Sequence, residues 1–237
     1  MRPDILYKYV APDRIDILVN KKIRFTQPCL WNDPFEFIPA TPDPGPDRLG
    51  PVEKRAAKKR DSRAHEQARL YGVLSLTEKK DSILMWAHYA AAHTGFVIGF
   101  NTGRGLLAEA ERKLQKVLYH PERPSSTRGL PGQPWRGPDT IHVIKNSDWQ
   151  HEREWRWIET CSPYDYAEVV AAPNGELLFL RRIPSDSIRE VVLGCRSGSS
   201  LEESLRTLKS GDPDYRDLDL FKAARSSHGY GLVIKPL

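Results

Sequence analysis

Cysteine is scarce in this sequence, and long apolar runs are missing from it. The three cysteines are odd in number and far apart, and none belongs to a Cys-x-x-Cys pair. This argues against a disulfide framework and against a zinc site. No segment approaches the roughly 20 apolar residues that a transmembrane helix requires. The first residues, Met1 to Asp4, also lack the apolar core of a secretory signal. We therefore expect a cytoplasmic protein without a membrane partner.

The overall composition is that of a folded protein. Hydrophobic residues make up 39% and charged residues 28% of the 237 residues, a balance typical of globular chains. A chain of this length can bury one substantial core, and nothing in the sequence requires a second. We predict a single domain over residues 1–237. Proline-rich stretches predict surface loops near residues 39–51 and 121–138.

Short strands and helices follow one another irregularly along the chain. Alternating or short apolar runs predict strands at residues 6–10, 23–26, 73–76, 96–100, 116–119, 155–158, 176–180, 188–194 and 230–234. Helical spacing occurs at residues 12–20, 83–93, 106–115 and 201–209. Because this order does not repeat a βαβ unit, we predict an α+β fold. Its sheet should be twisted, mixed and mainly antiparallel, either continuous or split into two packed halves, with peripheral helices.

Most of the excess positive charge lies in one segment. Residues 53–69, the basic segment, hold seven Lys or Arg against three Asp or Glu, which gives +4 of the overall +5. The composition favours a helix that has only alanines to bury. Such a helix is either an ordinary solvated one or a contact surface for a phosphate-bearing partner. No aromatic residue interrupts the basic run to stack on bases.

The strongest functional signal is the stretch from His151 to Ile158. Strand-like alternation places Glu152, Glu154 and Arg156 on one face and the indoles of Trp155 and Trp157 on the other. Two glutamates at this spacing lie roughly 7 Å apart at their Cα atoms, close enough to contact one substrate from two points. The alternative is a structural ion pair on a half-exposed strand.

Four patches together resemble a known bacterial family. They are Leu-Tyr-Lys-Tyr at 6–9, Trp-Asn-Asp-Pro-Phe-Glu at 31–36, Ser-Leu-Thr-Glu at 75–78 followed by Met-Trp-Ala-His-Tyr at 85–89, and Glu-Arg-Glu-Trp-Arg at 152–156. The combination is similar to the bacterial domain-of-unknown-function 2971 family, from about residue 6 to residue 158. The family name implies no activity.

A more distant resemblance suggests a chemistry. Mono-ADP-ribosyltransferases of the Arg-Ser-Glu class have a basic residue on the first strand, a Ser-Thr-Ser strand, and a Glu-x-Glu motif whose second glutamate is catalytic. Glu152 and Glu154 match that motif, and Ser75 begins a looser match to the serine strand. No arginine lies within residues 6–10, so Lys8 or Tyr7 would have to anchor the nucleotide. The resemblance implies NAD as substrate and a role as a toxin or anti-phage defence effector.

The same resemblance assigns roles to further residues. Glu154 would stabilise the oxocarbenium-like transition state, and Glu152 would orient or deprotonate the acceptor. Arg156 would either position Glu154 or meet a phosphate. Candidates for stacking on the nicotinamide ring are Trp86, Tyr89 and Tyr7. Asn32 is either a polar contact in the site or part of an Asn-Asp-Pro turn.

The partner and the function class stay open at this point. The acceptor could be water, or a nucleic acid or a protein held by the basic segment, and an antitoxin or effector-complex partner would fit the implied role. One alternative is a metal-dependent nuclease, with Asp33, Glu36, Glu152 and Glu154 as oxygen ligands for Mg²⁺. Another is a non-catalytic binding module, for which substitution of Glu154 would cause no loss of turnover.

Overall fold

A computed structural model describes residues 2–40, 50–110, 113–124, 130, 138–162, 164, 166–173 and 175–237. The strands are β1 (Ile5–Val10), β2 (Lys22–Phe25), β3 (Tyr71–Thr77), β4 (Phe96–Asn101), β5 (Leu114–Lys116), β6 (Leu118–His120), β7 (Ile144–Asn146), β8 (Glu154–Thr160), β9 (Glu168–Ala171), β10 (Leu177–Arg182), β11 (Ile188–Leu193), β12 (Asp219–Arg225) and β13 (Leu232–Pro236). The α-helices are α1 (Asp16–Val19), α2 (Pro51–Ala68), α3 (Ile83–Tyr89), α4 (Gly105–Glu109) and α5 (Ser199–Gly211).

Eight of the strands form one large sheet. Its order is β13-β12-β11-β4-β1-β3-β8-β5. All neighbours are antiparallel except β11 and β12, which are parallel. A three-stranded sheet has the order β2-β10-β9, and β6 and β7 form a parallel pair. The predicted α+β fold with a mainly antiparallel mixed sheet is confirmed, with most strands in one continuous sheet.

The large sheet buries side chains on both faces, and the alternation along its strands explains why. In β1, Leu6 and Val10 belong to one apolar cluster, while Tyr7 and Tyr9 belong to another. The first cluster also receives both indoles of β8, and the ring centroid of Trp157 lies 5.1 Å from that of Phe25. The prediction that the two tryptophans pack into the core is confirmed. Consequently the opposite face of β8 carries the charged residues.

Two central strands separate within this sheet. β1 and β3 pair at one register position, Tyr7 with Thr77. Four residues earlier on β3, Val73 exchanges two backbone hydrogen bonds of 2.9 Å with Thr26. Between these positions the carbonyl of Ser75 accepts a hydrogen bond of 3.1 Å from Nζ of Lys8. A lysine side chain thus bridges the strands where their backbone pairing stops, and the sheet opens there.

Several predicted boundaries are wrong. The helix expected at 106–115 ends at Glu109, because Leu114–Lys116 pairs with β8 as an edge strand. Helix α3 ends at Tyr89, well before residue 93, because Ala91, Ala92 and His93 adopt left-handed backbone angles with φ of 46°, 53° and 69°. The glutamate strand starts later than expected. Glu152 ends a 3₁₀ helix, and Arg153, with φ 46°, separates it from β8.

The proline-rich stretches are described only in part. Residues 41–49, 125–129 and 131–137 lie outside the described residues. The first predicted loop gives way to α2 at Pro51, and the second to a 3₁₀ helix at Pro138–Val143. The basic segment is mostly helical, as its composition predicts. None of the described helices is both long and apolar enough to cross a membrane.

Gly95 fixes the return from α3 to the sheet. A Cβ atom at this position would lie 2.1 Å from the carbonyl oxygen of Val10 and 3.1 Å from that of Ala90. We expect Gly95→Ala to lower the free energy of unfolding by about 1–3 kcal/mol, since overpacking against backbone displaces it. Urea denaturation measures the change. Gly229→Ala is the control, because a Cβ there has nothing within 4 Å. Equal destabilisation by both variants would contradict the packing argument.

Candidate functional site

A cleft of about 210 Å³ lies where β1 and β3 separate. Seven of the nine residues predicted from the sequence to form the site line it: Tyr7, Lys8, Asn32, Ser75, Tyr89, Glu152 and Glu154. They come from β1, from the turn after the 3₁₀ helix Pro28–Leu30, from β3, from α3 and from the start of β8. The cleft therefore unites patches that are far apart in the sequence.

A buried lysine joins three glutamates at one end of the cleft. Nζ of Lys145 lies 2.7 Å from a carboxylate oxygen of Glu152 and 3.1 Å from one of Glu154. The same nitrogen lies 3.1 Å from Oε1 of Glu36. All four side chains are at most 8% exposed, so these charges interact with little solvent screening.

Arg156 completes this cluster from beneath. Its guanidinium is fully buried and donates to both carboxylate oxygens of Glu154, at 2.9 Å each. It also donates to Glu36 at 2.8 Å and to the carbonyl of His142 at 2.8 Å. The guanidinium carbon lies 4.7 Å from the ring centroid of Trp31. This geometry gives Glu154 one orientation, because a bidentate pair fixes the plane of the carboxylate.

Opposing effects set the protonation of these groups. Burial would raise the pKa of Glu154, but the charges of Arg156 and Lys145 outweigh it and lower that pKa to about 2. For Glu36 burial wins against the same two cations, and its pKa is raised. Burial lowers the pKa of Lys8 to about 8, although nearby Glu154 favours its charged form. Glu154 is therefore ionised at neutral pH, and Lys8 titrates near the physiological range.

Hydroxyl and amide groups surround the carboxylates. The side chain of Ser75 lies near Glu154 and helps to lower its pKa. Tyr89 donates its phenolic proton to Oε1 of Glu152 at 2.6 Å, and the side chain of Asn32 lies nearby. Burial and the bonded Glu152 both raise the pKa of Tyr89. These contacts keep Tyr89 protonated, so it acts as a donor towards Glu152.

Backbone geometry at the start of β8 brings the two glutamates together. Asn146 caps the 3₁₀ helix Ser147–Glu152 by accepting from the backbone N–H of Asp148. The left-handed residue Arg153 then turns the chain into β8. On the neighbouring strand, Thr77 faces Glu154 in register and its hydroxyl donates to the carbonyl of Glu152. The pair is thus held by a helix end and a strand start, and not by one extended strand.

Two predicted site residues lie outside the cleft. Trp86 is fully buried, donates its indole N–H to the carbonyl of Lys80, and packs edge-on against Tyr9 with 5.2 Å between ring centroids. It has no ring face open to a ligand, so the predicted stacking role is wrong and Trp86 belongs to the core. Arg156 is also inaccessible, which leaves only the first of its two expected roles, the positioning of Glu154.

Tyr7 and Asp33 also make contacts that stabilise the fold. Burial and the nearby charge of Glu190 raise the pKa of Tyr7, and Nζ of Lys80 lies 5.6 Å from the centroid of its ring. Asp33 accepts from the backbone N–H of Phe35 at 2.9 Å, which is the turn geometry that the Asn-Asp-Pro sequence predicts. Asn32 is exposed at the rim of the cleft.

Sequence reasoning missed Lys145 and gave Glu36 only a metal-binding role. Lys145 follows the second proline-rich stretch and belongs to no motif, so no local signal marks it. Its ammonium group occupies the space among three of the four carboxylates expected for a nuclease. Among the residues that the structure describes, no group of three or more His, Cys, Asp or Glu side chains is arranged to hold a metal ion.

Comparison with known proteins gives one match. Residues 85–157 match the model of a family described as a protein of unknown function (DUF2971). The match spans about a third of the chain and includes Trp86, Tyr89, Lys145, Glu152 and Glu154. It supports the likeness to this family over those residues. No curated protein and no solved structure matches the chain.

Removal of Arg156 should cost the fold more than removal of a surface arginine. Arg156→Met removes one of the two buried cations that Glu154 and Glu36 share and leaves three glutamates to Lys145, and we expect the free energy of unfolding to fall by about 3–5 kcal/mol. Arg206→Met is the control, because Arg206 pairs with Glu202 on the exposed face of α5 and such pairs contribute under about 1 kcal/mol. Chemical denaturation of both variants measures the difference. Similar values for the two would mean that the cluster does not hold the site together.

Proposed function

We propose that this protein is an NAD-dependent ADP-ribosyltransferase-like enzyme. The observation that carries the proposal is the convergence of Lys8, Ser75 and Glu154 from three neighbouring strands on one cleft, where Ser75 lies close enough to Glu154 to help lower its pKa. A basic residue, a serine and a glutamate are the three elements expected from the Arg-Ser-Glu class. Lysine in place of arginine is the departure from that pattern.

The reaction would break the bond between the nicotinamide nitrogen and C1′ of the ribose. The bonding electrons leave with neutral nicotinamide, and positive charge develops on the ribose as an oxocarbenium-like cation. Glu154 carries a full negative charge at neutral pH because its pKa is lowered to about 2. A fixed carboxylate beside C1′ stabilises that developing charge. A nucleophile then bonds to C1′ and gives up its proton, for which Glu152 is the nearest buried base.

Lys145 restrains the carboxylates before substrate binds. It contacts Glu36 and Glu152 as well as Glu154, so it retains two anionic partners when a ribose hydroxyl takes its place at Glu154. Arg156 keeps its bidentate contact throughout and preserves the orientation of Glu154. In this proposal both cations are positioning residues, and the fully buried Arg156 does not touch the substrate.

Aromatic contacts for the nicotinamide ring come from residues that line the cleft. Tyr89 and Trp31 both line it, and Trp31 takes the place that the sequence assigned to Trp86. One face of the Trp31 ring is covered by the guanidinium of Arg156, and Phe37 packs edge-on against the ring with 5.4 Å between centroids, so only the part of Trp31 that lines the cleft is open to a substrate. Stacking on such a ring orients a planar substrate at a low entropic cost.

The acceptor and the biological role belong to the same proposal. Helix α2 is 18 residues long, and Ala68 is the buried side chain among those that the structure describes on it. Its exposed lysines and arginines suit a nucleic-acid or acidic protein acceptor. A role as a cytoplasmic toxin or defence effector, restrained by an antitoxin partner, would fit an enzyme that consumes NAD.

Loss of the charge on Glu154 should remove turnover without removing the fold. Glu154→Gln is nearly isosteric and keeps hydrogen-bonding capacity, and we expect release of nicotinamide from labelled NAD, with cell extract as the source of acceptor, to fall by on the order of a hundredfold. Glu203→Gln is the matched control, because Glu203 is exposed on α5. Absence of NAD consumption in the wild type, or equal rates in Glu154→Gln, would overturn the proposal. Binding of NAD without turnover would favour a binding module.

The pH dependence should report on Lys8. Its pKa is lowered to about 8, so its ammonium group, which would hold the pyrophosphate, loses its charge as the pH rises through that value. We expect the KM for NAD to increase between about pH 7 and pH 9 in the wild type. It should stay nearly constant in Lys8→Arg, because a guanidinium remains charged. Lys235→Arg, an exposed lysine on β13, should keep the wild-type dependence. A constant KM in the wild type would remove Lys8 from substrate binding.

A further inference from the structure

A second cavity lies on the other side of the ion pair between Glu36 and Lys145. Its volume is about 200 Å³. Its walls come from the turn that carries Phe35, from the residues after β6 that include Arg123, and from β7 at Ile144. Glu36 and Lys145 line both this cavity and the cleft, so one pair of side chains separates the two spaces.

Flat apolar surface makes up much of this cavity. Phe35 is 55% exposed at its rim, so its ring is open to a ligand. Phe37 is buried further in, and its ring stacks on that of His142 with 4.4 Å between centroids and 14° between planes. Ile141 and Ile144 complete the apolar lining. Such a space accepts a planar ring on its faces and edges.

A cationic group lies at the mouth of the cavity. The guanidinium carbon of Arg123 is 5.0 Å from the ring centroid of Phe35. Among the ion pairs of the described residues none involves Arg123, in contrast to Lys145, whose charge is shared by three glutamates. Glu122 is the neighbouring carboxylate on the rim, and it can accept from an exocyclic amine. An aromatic face beside an exposed guanidinium suits a base that carries a phosphate.

The volumes of the two cavities limit how such a ligand could be placed. Both cavities are smaller than the roughly 300 Å³ at which pockets for drug-sized ligands begin. Each therefore has room for one ring system, and a dinucleotide would have to occupy both. The shared pair of Glu36 and Lys145 lies between the two spaces, where the linking part of such a ligand would pass.

We propose that this second cavity is a nucleotide subsite, in which a planar base stacks against Phe35 and Arg123 binds its phosphate. Two sources supply this chemistry. One is the adenosine half of NAD, and this source rests on the proposed function. The other is an unstacked base of a single-stranded nucleic acid, which the exposed basic residues of α2 would help to hold; α2 reaches the same apolar cluster as Phe37 through Ala68.

The test uses the full chain with AMP and with a fluorescent oligoadenylate as probes. We expect Phe35→Ala and Arg123→Gln each to weaken binding of at least one probe by roughly tenfold, since base stacking and phosphate contacts contribute at that level. Tyr230→Ala and Arg216→Gln are the matched controls, because both residues are exposed and line neither cavity. They should leave both affinities unchanged. Because Phe35 and Arg123 are both exposed, neither substitution removes core packing.

The arms of the experiment separate the sources and the two proposals. AMP that competes with NAD identifies the dinucleotide as the source, and oligoadenylate that binds without such competition identifies the nucleic acid. Failure of both probes to bind, or equal affinities in all variants, overturns the subsite. Nicotinamide release with no probe binding would overturn the subsite alone. Probe binding that depends on Phe35 and Arg123, with no nicotinamide release, would overturn only the transferase proposal.

Discussion

The buried contact between Arg156 and Glu154 is the constraint around which the rest of the site is arranged. Moving a guanidinium and a carboxylate out of water costs several kcal/mol per ion, and this cost is offset only when every remaining donor and acceptor is satisfied. The second carboxylate comes from Glu36, and Nη1 of Arg156 donates to the carbonyl of His142. The segments that carry Glu36, His142 and Glu154 are held together because the buried guanidinium of Arg156 donates to all three.

The opening between β1 and β3 requires other partners for the strand backbone. A gap between central strands exposes backbone groups that would otherwise pair. Here Lys8 satisfies the carbonyl of Ser75, and Thr26 pairs with Val73 at the far end of the gap. The cleft is therefore lined by strand residues whose positions are fixed on both sides. Polar groups held by strands keep their geometry better than groups on loops, which is the property that precise positioning of a substrate requires.

The sequence carried the parts of this structure that depend on local pattern. Alternation along β8 placed Trp155 and Trp157 in the core and Glu154 with Arg156 on the other face, and this is how they lie. The same reasoning could not find Lys145, because its role arises from contacts with glutamates on other segments. It misplaced Trp86 for a related reason: a helical stripe of aromatic residues has the same spacing whether it faces a ligand or a second core cluster. The strand at Leu114–Lys116 escaped prediction because a three-residue edge strand is too short to show a period.

The left-handed residues after α3 limit the insertions and deletions that the chain can accept there. Ala91, Ala92 and His93 reverse the chain within three residues, and the N–H of His93 bonds back to the carbonyl of Trp86. An uninterrupted helix would advance about 1.5 Å per added residue and turn its side chains by about 100° each. An insertion or deletion between Tyr89 and Phe96 would disturb this reversal and shift the end of α3, with Tyr89, relative to β4. The number of residues in this connection is part of the geometry of the cleft, and related chains should conserve that length more strictly than they conserve its sequence.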